Sequence, residues 1–208
     1  MRIIGIAGGV ASGKSLVAGK LEQLGAVSID VDRIGHGVLR QPEVHGQARS
    51  RWGDRIFLGN GEIDRTTLAE IVFGDSSGKE LSFLESTTFP KIRACLEAEL
   101  TNLRSKGVAV VVVDAAVMFK AHWDRLCDVI LFVDAAAEVR LARARARGWT
   151  DEQFAAREAT QVSLTTKRAR ADIVIDNNNS VDKTKAQMER FWLSLDSFFP
   201  NNTSSSDT

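Results

Sequence analysis

The sequence predicts an α/β fold in which a five-stranded parallel sheet, flanked by helices, carries a helical insertion and a helical lid. Three observations support this prediction. Short apolar runs rich in β-branched residues alternate with amphipathic segments of helix length, which is typical of a parallel sheet. A glycine-rich turn joins the first such run to the first helix. The stretch 41–106 has helical patterns and polar turns but no convincing strand, so it is predicted as an insertion.

The first strand, turn and helix contain the most specific motif of the chain. The apolar run Arg2–Ala7 is followed by Gly8-Gly9-Val10-Ala11-Ser12-Gly13-Lys14-Ser15, which matches the pattern G-x-x-x-x-G-K-[ST] at every fixed position. In the segment that follows, Val17, Leu21 and Leu24 fall on one helix face, and Gly25 is predicted to end the helix.

This motif predicts a phosphate-binding loop, because its backbone N–H groups can converge on phosphate oxygens at a helix N-terminus. Lys14 would reach the β- and γ-phosphates, and the Ser15 hydroxyl would ligate Mg²⁺. The alternative, a turn that binds nothing, is disfavoured because strand and helix are both in place. The predicted nucleotide-binding residues of the loop are Gly9, Val10, Ala11, Ser12, Gly13, Lys14 and Ser15.

The second predicted strand, Ala26–Asp30, leads into Asp32. Ligands of open parallel sheets bind outside the carboxyl ends of the strands, so Asp32 is a candidate for chemistry. The alternative is that Asp32 only caps the helix predicted at 33–39.

The insertion is predicted to contain helices over Val44–Trp52, Thr66–Phe73 and about Lys79–Arg104. Pro90 is expected to divide or kink the last of these helices, because proline lacks the N–H that a helix interior needs. We expect the insertion to bind a second substrate.

Three more strands follow the insertion. Val108–Asp114 is the most apolar and is predicted to be central. Asp114, at its end, either supports Mg²⁺ as a Walker-B carboxylate does or is an ordinary turn residue. The fourth and fifth strands are predicted at Cys127–Asp134 and Asp172–Asp176.

The segment between the fourth and fifth strands places Arg140, Arg143 and Arg147 on one helix face. One interpretation is a solvated face that is paired with Glu138, Asp151 and Glu152. We favour a lid whose arginines bind phosphates, because the helix starts from the same rim as the phosphate loop. The last helix is predicted over Ser180–Phe199, with a stop at Pro200 and a disordered tail at 201–208.

Composition limits the location and partners of the protein. The 208 residues contain 27 Lys and Arg and 27 Asp and Glu, so bulk binding to nucleic acid or a membrane surface is not expected. Cys95 and Cys127 lie far apart and fit a reducing compartment. No targeting segment or membrane span is visible. We therefore expect a cytoplasmic monomer without nucleic-acid or membrane partners.

Several later segments, together with the loop, resemble the dephospho-coenzyme A kinase family over about residues 2–192. The quoted segments are Asp30-Val31-Asp32-Arg33-Ile34, Asp64-Arg65-Thr66-Thr67-Leu68 with Ile71-Val72-Phe73, Leu126-Cys127-Asp128 into Val133-Asp134-Ala135, Gln161 with Lys167, Ala171-Asp172, and Ile175-Asp176-Asn177. The phosphate loop alone is shared by many families, whereas this order and spacing indicates one.

The resemblance implies an ATP- and Mg²⁺-dependent phosphorylation of the 3′-hydroxyl of dephospho-coenzyme A, the last step of coenzyme A synthesis. It implies that Asp32 is the catalytic base, that Arg143 acts in catalysis with Lys14, and that Arg147 and Asn177 bind the nucleotide. The implied domains are a P-loop kinase core at 1–40 and 107–200 with a lid at about 137–168, and an acceptor-binding insertion at 41–106.

Three residues depart from the family pattern, namely Phe89, Ala116 and Lys120. They concern the acceptor side, so two alternatives stay open. The chain could be a P-loop kinase for another small molecule, or a nucleotide-binding regulator that has lost its acceptor site.

Overall fold

A computed structural model describes the backbone of residues 1–198 and the side chains of residues 1–195. The predicted stop at Pro200 and the predicted tail at 201–208 lie outside these described residues. The chain divides into two compact units. The first contains Met1–Ser28 and the described residues from Val108 onward, and the second contains Ile29–Gly107.

The strands form one five-stranded sheet, as predicted. They are β1 (Arg2–Gly8), β2 (Val27–Asp30), β3 (Val110–Asp114), β4 (Val129–Asp134) and β5 (Ile173–Asp176), in the order β2-β3-β1-β4-β5. The pairs β1–β3, β1–β4 and β4–β5 are parallel. The strand predicted to be central, β3, lies inside the sheet between β2 and β1, and β1 occupies the middle position. Both strands are apolar and buried, so strand order depends on how the chain crosses over and not on apolarity.

Within the described residues, the first unit has one α-helix after β1 and four after β4. They are α1 (Lys14–Gln23), α6 (Ala137–Ala146), α7 (Asp151–Ala159), α8 (Leu164–Ala169) and α9 (Val181–Phe198), with a short 3₁₀ helix at Trp123–Leu126. Helices α1 and α9 pack on the sheet through Val17, Leu21, Met188 and Phe191, all buried. Gly25 follows α1 with φ of 113°, which confirms the predicted end of that helix.

The second unit is helical, as predicted. It contains α2 (Val31–Val38), α3 (Pro42–Trp52), α4 (Arg65–Gly74) and α5 (Lys79–Ser105), with a 3₁₀ helix at Asp54–Ile56 and a single antiparallel bridge between Phe57 and Ile63. Its core is formed by Ala48, Trp52, Ile56, Ile63, Leu68 and Val72. No helix in the described part of the chain is long and apolar enough to cross a membrane.

Pro90 was predicted to divide or kink helix α5, and the division is wrong. The helix runs through the proline, and Thr88 before it and Ile92 after it are both buried. Because α5 packs against α2, α3 and α4 along its length, tertiary packing outweighs the hydrogen bond that the proline cannot form.

Candidate active site

The phosphate loop lies between β1 and α1, where the motif predicted it. Ala11 and Gly13 have φ values of 57° and 100°, so the backbone turns sharply twice within the loop. The N–H of Ser12 donates to the carbonyl of Gly9 at 3.2 Å, and the N–H of Leu16 donates to the carbonyl of Gly13 at 3.0 Å. The loop therefore passes directly into the first turn of α1, which begins at Lys14.

Gly13 cannot be replaced without strain. Its left-handed φ disfavours a side chain, and a Cβ atom there would lie 2.1 Å from Nδ2 of Asn177. Packing therefore requires the fixed glycine of the motif in this chain, because the Asn177 side chain approaches Gly13 closely.

The carbonyl of Ser12 is the meeting point of two predicted site residues. It accepts hydrogen bonds from Nη1 of Arg143 at 3.1 Å and from Nδ2 of Asn177 at 2.7 Å. Nη2 of Arg143 also donates to the carbonyl of Asn177 at 2.8 Å. The Thr184 hydroxyl donates to Oδ1 of Asn177 at 2.8 Å, so both ends of this buried amide have partners. Arg143 and Asn177 are therefore fixed to the backbone of the loop.

Ser12 has a second property that the sequence did not indicate. Ser12 is only 1% exposed, and its hydroxyl has no hydrogen-bond partner among the described residues. A Cβ atom on Gly8 would lie 2.5 Å from that hydroxyl oxygen, so the space beneath the loop is full.

The arginine face of helix α6 splits into three environments. Arg140 is 3% exposed, donates to the carbonyls of Ala135 at 3.1 Å and Val10 at 3.4 Å, and pairs with Glu158. Arg143 is half-buried, and Arg147 is exposed with no side-chain partner among the described residues. The face is therefore neither uniformly solvated nor uniformly directed at a ligand.

The alternative pairing of this face with Glu138, Asp151 and Glu152 is wrong, because among the described residues none of these carboxylates pairs with an arginine of the face. Asp151 pairs with Arg145, on a different side of α6, through bonds of 2.8 and 2.6 Å. Arg140 pairs with Glu158 on α7 instead, because its buried guanidinium group does not reach the solvent-exposed carboxylates.

Lys167, which the sequence singled out only within the family resemblance, has contacts that no residue pattern predicted. It is 4% exposed, and Nζ donates to the carbonyl of Gly8 at 3.1 Å and to Oε1 of Gln161 at 2.5 Å. The pKa of Lys167 is lowered to about 8, mainly by burial and secondly by the nearby charge of Lys14. A basic residue on a short polar helix gives no local signal that it is buried.

Asp32 lies in the second unit, in the first turn of α2, and it is exposed. The alternative that it caps this helix is wrong. Helix α2 begins at Val31, and the capping residue is Asp30, whose Oδ1 accepts from the N–H of Arg33 at 3.0 Å. The helix starts two residues earlier than predicted, so the cap moves from Asp32 to Asp30 and leaves Asp32 without that structural role.

Comparison with known proteins decides the family. The family model described as dephospho-CoA kinase matches residues 2–183. The chain belongs to the dephospho-CoA kinase family. A Geobacter sulfurreducens dephospho-CoA kinase is 39% identical over 195 residues, which cover 92% of this chain and 98% of that protein.

Solved structures agree with the P-loop kinase fold of the family. A dephospho-CoA kinase from Campylobacter jejuni has a TM-score of 0.70 at 25% identity and covers 94% of this chain and 98% of its own. The Thermus thermophilus protein TT1252 has a TM-score of 0.78 at 30% identity and covers 93% and 97% of the two chains.

Protein groups that fit Mg²⁺ are present in this dephospho-CoA kinase family member. Ser15 presents an exposed hydroxyl in the first turn of α1, and Asp114 ends β3 opposite Ile6 of β1. Among the described residues, no group of three or more His, Cys, Asp or Glu side chains could hold a metal alone. Mg²⁺ commonly uses one or two protein oxygens together with substrate phosphates and water.

Proposed function

We propose that this chain transfers the γ-phosphoryl group of ATP to the 3′-hydroxyl of dephospho-CoA, giving ADP and CoA, as the last step of CoA synthesis. The single observation that carries the proposal is the phosphate loop with Arg143 and Asn177 fixed on its Ser12 carbonyl, in a chain of this family. Such a loop supplies donors that are already in place for a triphosphate.

The proposed roles follow the chemistry of phosphoryl transfer, which needs positioning and charge neutralisation. The N–H groups of Gly9, Val10, Ala11, Ser12 and Gly13 hold the phosphates, with Lys14 reaching the β- and γ-phosphates. Ser15 would hold Mg²⁺, which neutralises phosphate charge when bound. Arg143 keeps N–H groups beyond the two that bind carbonyls, and these are available to phosphate oxygens.

The remaining assignments come from the family resemblance. Asp32 orients the acceptor hydroxyl and accepts its proton while the new O–P bond forms and the bond from the γ-phosphorus to the leaving oxygen of ADP breaks. Arg147, exposed at the end of α6, binds the nucleotide. Asn177 contributes to nucleotide binding through Ser12, because its buried amide is held by one bond at each end within the protein.

The domain and location assignments are part of the same proposal. The helices of residues 41–106 bind the acceptor, and α6–α8 form the lid. We also propose a monomer located in the cytoplasm, to which the two free cysteines, Cys95 and Cys127, are suited.

The decisive experiment is an ADP-release assay with ATP, Mg²⁺ and a panel of acceptors. We expect turnover with dephospho-CoA to exceed turnover with nucleosides, nucleotides and sugar acids. Preference for another acceptor would make the chain a different P-loop kinase. ATP binding without acceptor-dependent turnover would make the chain a regulator. Phe89 and Lys120 would then be the first residues to replace with those of the family pattern, to test whether turnover returns.

A further inference from the structure

Lys167 holds a position that the proposed mechanism does not use. Its ammonium group donates to the carbonyl of Gly8 at 3.1 Å, from a side chain that is 4% exposed. Gly8 is both the last residue of β1 and the first residue of the phosphate-loop motif. The contact therefore fixes the point at which the loop leaves the sheet.

The second bond of Lys167 connects it to the segment between α7 and α8. Oε1 of Gln161 accepts at 2.5 Å, and Gln161 lies with Lys167 on the wall of a cavity of about 170 Å³. The cavity leaves room for a longer side chain in place of the lysine. The remaining lining residues are Glu158, Val162, Ser163 and Leu164.

The loop is also packed directly against this part of the lid. A Cβ atom on Gly9 would lie 3.0 Å from Cδ2 of Leu164 and 2.8 Å from Nη1 of Arg140. The packing around Gly9 is close, so a shift of α8 would move the loop. The position of helix α8 is thus coupled to the position of the donors that face the triphosphate.

Considered only for the stability of the fold, a buried positive charge on Lys167 is unfavourable. The charged groups around it are the cations Lys14 and Arg140 and the carboxylate of Glu158, and Glu158 already pairs with Arg140. Burial is the main reason that the pKa of Lys167 falls to about 8. An ordinary lysine has a pKa of 10.5, so at neutral pH the folded protein bears the cost of keeping this ammonium group charged.

We propose that Lys167 is a positioning residue for phosphoryl transfer, which holds the start of the phosphate loop through the Gly8 carbonyl and adds its positive charge to that loop. It acts on the triphosphate through the backbone and the local field, while Lys14 makes the direct contact. The inference rests on the proposed function, since it assumes that the loop holds ATP for transfer. Misplacement of reacting groups by about 1 Å can cost on the order of 10²-fold in rate.

This role predicts a particular pH dependence. The free enzyme loses the Lys167 charge as the pH rises through about 8, so kcat/KM for ATP should fall above that pH. Arginine at this position would stay charged, and the cavity beside it can receive the longer side chain. Lys167→Arg should therefore keep a large part of the activity and lose the decline near pH 8.

The experiment compares Lys167→Met and Lys167→Arg with the matched control Arg168→Met. Arg168 is the next residue of α8, is about half exposed, and pairs with Asp134. The measurements are the thermal midpoint without nucleotide, the Kd of ATP, and kcat/KM for ATP from about pH 6 to about pH 10 with dephospho-CoA as acceptor. Lys167→Met should lose on the order of 10²-fold in kcat/KM while its thermal midpoint stays equal or rises. Arg168→Met should keep wild-type activity.

If the wild type turns over dephospho-CoA, two outcomes would overturn the proposal. One is a lower thermal midpoint of Lys167→Met with wild-type kcat/KM, since the lysine would then only support the fold. The other is a decline near pH 8 that persists in Lys167→Arg, and this variant decides the matter if Lys167→Met does not fold. If the wild type does not turn over dephospho-CoA, the proposed function fails. The Kd of ATP then tests Lys167 separately, and an unchanged Kd in Lys167→Met overturns its role.

Discussion

At the scale of single residues, the phosphate loop is held by its carbonyl oxygens. Side chains bind the carbonyls of Gly8, Val10 and Ser12, which alternate along the loop. Turning these acceptors towards protein donors leaves neighbouring N–H groups able to converge on an anion. The donors are Lys167 for Gly8, Arg140 for Val10, and Arg143 with Asn177 for Ser12.

Lys14→Ala tests the loop most directly. We expect kcat to fall by at least about 10²-fold, because the variant loses a main electrostatic contact to the transferring phosphoryl group. The thermal midpoint should change little, since Lys14 is only half-buried at the start of α1. Lys20→Ala is the matched control, because Lys20 lies on the same helix and pairs with Glu189 at 2.7 Å. Wild-type turnover by Lys14→Ala would refute the assignment of the loop.

Asp32→Asn tests the proposed base. We expect a loss on the order of 10²–10⁴ in the single-turnover rate with dephospho-CoA, because asparagine cannot take the proton. The Kd of ATP should stay unchanged. Since Asp30 caps helix α2, Asp30→Ala should instead lower the free energy of unfolding by about 1 kcal/mol. A near-normal rate for Asp32→Asn would remove Asp32 as the base and make Asp114 the next candidate.

Residue patterns alone could predict residues whose role is local, whereas residues that act across the chain were named only through the family resemblance. Lys14 and Gly13 belong to a contiguous motif, so their places in a strand–loop–helix unit follow from spacing alone. Asn177 reaches Ser12 and Lys167 reaches Gly8 from far along the sequence. No periodicity connects such residues, because the contact exists only once the sheet has assembled.

At the scale of elements, the strands and helices were predictable, but their order and their continuity were not. The apolar runs predict all five strands, while the middle position of β1 depends on crossovers that a local pattern does not contain. Helix α5 continues through Pro90 because its neighbours pack along it. The helix cap lies at Asp30, two residues before the predicted Asp32. Errors of a residue or two are usual at helix ends, because the terminal turns fray.

Helix α6 offers a graded test of the lid, with three arginines in different environments. Arg143→Ala should slow transfer most and weaken ATP binding, because it removes one of the two donors to the Ser12 carbonyl and the donor to the carbonyl of Asn177. Arg147→Ala should slow transfer without changing the thermal midpoint, since Arg147 is exposed. Turnover and the Kd of ATP are measured for both variants.

Arg145→Ala is the control for this series, because Arg145 pairs with Asp151 on another side of the helix. It should keep wild-type kcat and ATP affinity. Full activity of both Arg143→Ala and Arg147→Ala would show that the arginine face serves only the fold.

At the scale of the whole molecule, both units carry carboxylates that are more acidic when folded. Hydrogen bonds lower the pKa of each below its ordinary value. They are Asp64, Asp75 and Glu80 in the second unit and Asp151, Glu152, Asp176 and Glu189 in the first. A carboxylate whose pKa is lower in the folded state stabilises that state above its unfolded pKa. That stability is lost as the pH falls through the folded pKa.

Asp75 gives this acid sensitivity a specific test. The N–H of Glu80, at 3.0 Å, is the main cause that lowers its pKa to about 2, and the Ser77 hydroxyl at 2.7 Å adds to it. We therefore expect the thermal midpoint of the wild type to fall between about pH 4 and about pH 2. Asp75→Asn should lower the midpoint at neutral pH and make its decline in that window shallower, because asparagine has no proton to gain. Asp54→Asn is the control, since Asp54 is an exposed partner of Arg49 in the same unit. A decline in Asp75→Asn as steep as in the wild type would assign the acid sensitivity to other carboxylates.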